Sequence, residues 1–194
     1  MTLRILRAVD HRRMPWKNGR GETLEVAVGP PGAGLDDFDW RVSMAGVTED
    51  GAFSLFPGID RSLAVLSGAG LEMQLPDLPP QRVVMDGPAL TFAADIPSSA
   101  RLLAGPVSDL NVMTRRGVFS HVLLRADHGL PPAGERAGAV TLMLATRPVV
   151  AHLAGRRLEL GPLDAVICTD ALAHLDPGPV AGLWVARISP CLGT

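Results

Sequence analysis

The 194-residue chain holds one lysine, Lys17, and two asparagines, Asn18 and Asn111, although Lys and Arg together number 18. Every other basic residue is arginine, so composition has drifted towards Arg wherever the exchange is harmless. Lys17 therefore marks a position that needs a compact ammonium on a flexible stem rather than a planar fork. Cysteine is also scarce: Cys168 and Cys191 form no CxxC pair and have no companion cluster, which reads as two reduced thiols rather than a disulfide or metal site. The net charge is −2 and no basic run is present, which removes nucleic acid from the expected partners. No apolar run approaches the roughly 20 residues of a membrane helix. The opening MTLRILRAVDHRR lacks the apolar core of a signal peptide, so the expected location is the cytoplasm, with no membrane partner.

Catalytic and metal signatures are missing as well. His11, His121, His128, His152 and His174 are scattered singly, without HxH or HxxxH spacing, and the expectation is no metal and no cofactor. Gly19-Arg20-Gly21 is too short for a phosphate-binding glycine loop, and neither a GxSxG nor a Walker pattern occurs. No residue is assigned a catalytic role.

What the chain has in quantity is punctuation. Seventeen Pro and 21 Gly leave few windows for a helix, while short apolar or alternating runs recur between turn signals. This is an all-β pattern, and a sandwich or barrel of jelly-roll type closes so many antiparallel strands. Expected strands run from Leu3 to Val9, Thr23 to Val28, Trp40 to Val47, Arg61 to Ser67, Leu71 to Leu75, Arg82 to Met85, Ala89 to Phe92 and Arg101 to Ala104. Six more follow the unusual run DLNVMTRRG (Asp109 to Gly117). The expected organisation is two lobes, 1–108 and 109–194. AVLSGAGLEM and VAHLAGRRLEL each read as strand, Gly turn, strand, which fits either an internal duplication or two ordinary hairpins.

Three stretches gather candidate binding residues. MPWKNGRGET places Trp16 beside Lys17 and Asn18. In WRVSMA, strand alternation puts Arg41 and Ser43 on one face; together they make a carboxylate site if that face is interior, because Arg offers a bidentate fork, and an ordinary exposed pair if it is not. GAFSLFPGIDR crowds Phe56, Asp60 and Arg61 into one turn-rich segment that walls a pocket or plugs a loop. If the 109–115 run is extended, Asp109, Asn111, Met113 and Arg115 share a face, so Asn111 and Arg115 act together.

The blocks PWKNGRGET, WRVSMAGV, GAFSLFPGIDRSLAVLSGAG and GPVSDLNVMTRRG, in this order from about Met14 to Gly117, resemble the HutD/Ves family of bacterial proteins. The resemblance implies a cupin-type fold with two jelly-roll-like β-barrel lobes in one chain, a bicupin. In the HutD branch it implies an association with histidine degradation through binding of an intermediate such as N-formimino-glutamate or N-formyl-glutamate, and in the Ves branch a link to stress response and cold. Arg20 and Ala100 depart from the commoner family pattern, and Ala100 argues against an essential thiol there. The expectation is then a metal-free protein binding a small-molecule carboxylate, with Trp16, Lys17, Asn18, Arg41, Ser43, Phe56, Asp60, Arg61, Asn111 and Arg115 as ligand contacts. A cupin-type isomerase or hydrolase on the same ligands, and a structural or partner-binding role, are the alternatives. Dimers are common among cupins, which makes a homodimer a candidate assembly.

Overall fold

The computed structural model describes residues 2–16, 21–128, 137–169 and 177–191. Strands supply nearly all the regular structure. Among the described residues there are two short 3-10 turns, Ala8–Asp10 and Ala126–His128, and no α-helix, as the density of Pro and Gly dictates. The chain forms two units, Arg12–Arg116 and the discontinuous pairing of Met1–His11 with Gly117–Thr194.

In the Arg12–Arg116 unit, six antiparallel strands lie in the order β2 (Arg12–Pro15), β3 (Glu22–Gly29), β4 (Trp40–Val47), β11 (Val107–Arg115), β6 (Ile59–Ser67) and β9 (Leu90–Ala93). A four-stranded sheet, β5 (Gly51–Ala52), β10 (Ser99–Leu102), β7 (Leu71–Gln74) and β8 (Gln81–Val83), packs on it. Leu63, Val65, Phe92 and Val107 from the larger sheet interlock with Leu71, Met73, Val83 and Ala100 from the smaller. Each such large side chain contributes about 1.5–3 kcal/mol on burial. A second apolar group on the same face joins Phe38, Ile59, Ala94 and Met113, with Val28 and Phe56 against it. Polar side chains occupy the ground between these two groups. Register puts them there: Asn111 lies opposite Ser43 and Leu63, and Met113 opposite Arg41 and Arg61, so all six point to the inner face. An irregularity between Glu25 and Ala27 adds one residue to β3 and lets both Glu25 and Val28 face inward.

The other unit carries the sheet β1 (Thr2–Leu6), β16 (Ala165–Thr169), β13 (Val140–Ala145), β17 (Leu183–Pro190) and β12 (Phe119–Arg125), with a hairpin of β14 (Val149–Leu153) and β15 (Arg156–Leu160). Met143, Val166, Cys168 and Val185 of the sheet pack on Ala151, Leu153, Leu158 and Leu160 of the hairpin. Asp164 anchors the start of the chain to this unit, accepting from the Ala8 N–H at 2.8 Å and the Arg7 guanidinium at 2.7 Å. No described helix is long and apolar enough to cross a membrane.

Two strands escape the sequence reading. β2 is short, largely exposed and ends in Pro15, and β5 has two residues; neither carries enough alternation to register. The boundary expected at 108/109 falls inside β11, which pairs along its length with β4 and β6 at the centre of the six-stranded sheet. The first strand, expected in the N-terminal lobe, pairs with β16 instead.

Candidate functional site

The inner face of the six-stranded sheet holds an unusual number of buried ionisable groups. Arg41 and Arg61 are 4% and 6% exposed, Glu25 8% and Asp109 0%. A buried charge is costly unless it is paired and hydrogen-bonded, so the pairing defines what the site can do.

Glu25 and Arg41 meet directly. The Arg41 Nε donates to Glu25 Oε2 at 2.8 Å, one Nη donates to Ser43 Oγ at 3.3 Å, and the other approaches the Met14 sulfur at 3.5 Å. Arg12, at the sheet edge, comes within 3.6 Å of the other Glu25 oxygen.

Arg61 is held differently. Its Nε and one Nη both donate to Asn111 Oδ1, at 2.8 and 2.5 Å, and Asn111 Nδ2 donates to Asp109 Oδ1 at 2.7 Å. The guanidinium lies 4.4 Å from the Phe53 ring centroid and 5.8 Å from that of Phe92, a desolvated cation–π contact. Among the described residues no carboxylate forms an ion pair with Arg61, and Asp109 Oδ2 accepts no hydrogen bond. Burial pushes Arg61 down to about 10, with Asp109 opposing that shift and Arg41 adding to it. Burial also pushes Asp109 up to about 6, against the pull of Arg61, Asn111 and the Ala45 backbone N–H. The face therefore carries two buried cations, one with a direct counter-ion and one whose counter-ion acts through an amide.

Of the residues expected to bind ligand, Arg41, Ser43, Arg61 and Asn111 are brought together here. Trp16 stands at the sheet edge: its indole N–H donates to Thr23 Oγ1 at 2.9 Å, and its backbone N–H donates to the Gly21 carbonyl at 2.9 Å. Lys17 and Asn18 lie outside the described residues. Phe56 packs edge-on against Phe38, with ring centroids 6.2 Å apart, in the neighbouring apolar group. Asp60 and Arg115 are placed elsewhere. Asp60 is 41% exposed at its side chain and pairs with Arg116, which also holds Asp95. Arg115 donates to the Phe38 and Asp36 carbonyls and so braces the loop before β4. Alternation turns Asp60 away from its neighbour Arg61.

Glu25, Asp109, Phe53 and Phe92 complete the cluster and were not among the sequence candidates. For Asp109 the signal is its position two residues before Asn111 on one strand. For Glu25 it is the parity of β3, hidden by the irregularity after it. Among the described residues no group of three or more His, Cys, Asp or Glu is placed to hold a metal. Cys168 is buried in the core of the other unit, and burial pushes its thiol up to about 11, which makes it an inert packing group.

Comparison with known proteins places these features in context. The HutD family model matches residues 8–177. An uncharacterised 21.2 kDa protein from the hutC 3′ region of Pseudomonas putida is 37% identical over 165 residues, covering 84% of this chain and 85% of its own. Protein Ves of Citrobacter koseri is 38% identical over 135 residues, covering 68% and 69%. The solved structure of HutD from Pseudomonas fluorescens SBW25 superposes with a TM-score of 0.72 at 25% identity, over 98% of this chain and 100% of that one. At the level of fold alone, a bacterial pirin from Escherichia coli superposes with a TM-score of 0.60 at 9% identity, over 98% and 100%. The all-β, cupin-type architecture expected from the sequence is the one observed.

Proposed function

The chain belongs to the HutD family, and on that premise we propose that it binds a small acidic metabolite on the inner face of its Arg12–Arg116 unit and so modulates histidine or related amino-acid catabolism. The observation that carries this reading is the burial of two guanidinium groups on one sheet face with a single direct carboxylate pair between them. A ligand carboxylate supplies the missing counter-ion to Arg61 through a bidentate contact, and the ligand's amide meets Asn111 or Ser43. N-formyl-glutamate has both kinds of group, and N-formimino-glutamate carries an amidine in place of the amide. The relative from a hutC 3′ region and the neighbour named HutD support histidine catabolism as the setting. Lys17 and Asn18 remain ligand contacts on sequence grounds.

The test is calorimetric titration of N-formyl-glutamate, N-formimino-glutamate, glutamate and urocanate into the protein and into its Arg61→Gln and Lys17→Met variants. Binding of one formylated or formimino acid is expected. Arg61→Gln should weaken it by roughly ten- to a hundredfold, the worth of a charge-assisted hydrogen bond. The Arg61–Asn111–Asp109 chain also ties β6 to β11, which supports a purely structural reading. That reading gains if no acid binds and Arg61→Gln simply lowers stability.

A further inference from the structure

The four ionisable groups buried on the inner face are not partnered alike. Glu25 and Arg41 touch at 2.8 Å, whereas Arg61 and Asp109 communicate through Asn111, whose amide stands between them. Asp109 has no exposed surface, and its Oδ2 accepts no hydrogen bond among the described residues. A charged carboxylate oxygen buried without a donor is expensive, and a proton removes most of that cost. What opposes the proton is the positive charge of Arg61. We propose that when a carboxylate ligand docks on Arg61 it replaces Asp109 as the counter-ion, and that Asp109 takes up a proton as the ligand binds. This rests on the inner face being the carboxylate site.

The surroundings leave few other groups to take up such a proton. Facing the cluster, β4 contributes Arg41 and Ser43, β3 contributes Glu25, β2 contributes Arg12 on the far side of Glu25, and β6 contributes Arg61. β9 contributes Leu90 and Phe92, with no charge. The segment from Arg12 to Arg116 contains no histidine, and burial already brings Asp109 to about 6. A ligand's negative charge at Arg61 raises it further. By linkage, affinity for a carboxylate rises as pH falls from 8 towards 6 and levels off below that, because Asp109 is then protonated before the ligand arrives.

The experiment is calorimetric titration with N-formyl-glutamate, and with glutarate as a simpler dicarboxylate, in two buffers of different ionisation enthalpy at pH 5, 7 and 8. The expected result is uptake of about 0.5 to 1 proton per site at pH 7, falling towards zero at pH 5. Asp109→Asn imitates the protonated acid, so it is expected to bind about tenfold or more tightly than the wild type at pH 8, with no proton uptake. Binding whose heat is independent of buffer overturns the proton coupling while leaving the carboxylate site intact. So does an Asp109→Asn protein that still takes up a proton. Absence of binding by both acids overturns the carboxylate site and the coupling together. The wild-type proton count decides the matter even if Asp109→Asn does not fold.

Discussion

Asp109 shows how a single side chain ties stability to charge in this molecule. Its carboxyl is buried, and burial raises it from 3.8 to about 6, so between those values the folded protein holds a proton that the unfolded chain has lost. The sign follows directly: the contribution of Asp109 is fully present below about pH 4, is lost as pH rises through 6, and is constant above. The cost at pH 8 is on the order of 2–3 kcal/mol. Asp109→Asn, neutral at every pH, should therefore raise stability by about half that amount at pH 5 and by the whole of it at pH 8. Urea unfolding at the two pH values, followed through Trp16 and Trp40 of the same unit, reads the difference. Equal destabilisation at both would mean that the carboxylate serves as an ordinary ion-pair partner of Arg61.

At the scale of the element, the sheet depends on complementarity between neighbouring strands as much as on alternation within them. Gly29 ends β3 opposite Trp40 at the start of β4. A Cβ built on Gly29 would collide with Nε1 and Cε2 of the Trp40 indole, so the ring fills the space that a side chain there would need. Gly29→Ala should cost roughly 2–4 kcal/mol through displacement of the indole, with a shifted Trp40 emission. In a Trp40→Val background Gly29→Ala should cost little; an equal cost in both backgrounds would place the strain elsewhere. The strands were largely legible in the sequence because WRVSMA alternates and Gly58 and Gly68 bound the IDRSLAVLS run. The face Arg41 and Ser43 occupy was not legible, since alternation says which residues travel together and not which side is interior. What settles it is the neighbouring Leu63, Val65 and Phe92, which must face the smaller sheet.

For the whole molecule, order along the chain is a poor guide to order in space. The first eleven residues belong with Gly117–Thr194, because β1 supplies an edge to β16 and Asp164 holds Ala8 and Arg7. No local pattern in MTLRILRAVDHRR announces that pairing. The boundary expected at 108/109 falls at the edge of the DLNVMTRRG run, yet Asp109 and Asn111 of that run are buried at the middle of a central strand. Scarcity of asparagine singled out Asn111, and alternation linked it to Asp109. The chemistry that joins them to Arg61 required the register of β11 on β6. The central claim, that this face receives a carboxylate, is tested most directly by watching the arginine side chains themselves. The Arg61 Nε–H resonance, assigned by its loss in Arg61→Lys, should move on titration with N-formyl-glutamate by two-dimensional nitrogen–proton NMR, with a smaller response at Arg41. A titration in which the Arg41 and Arg61 resonances both stay fixed while only exposed arginines respond would contradict the account.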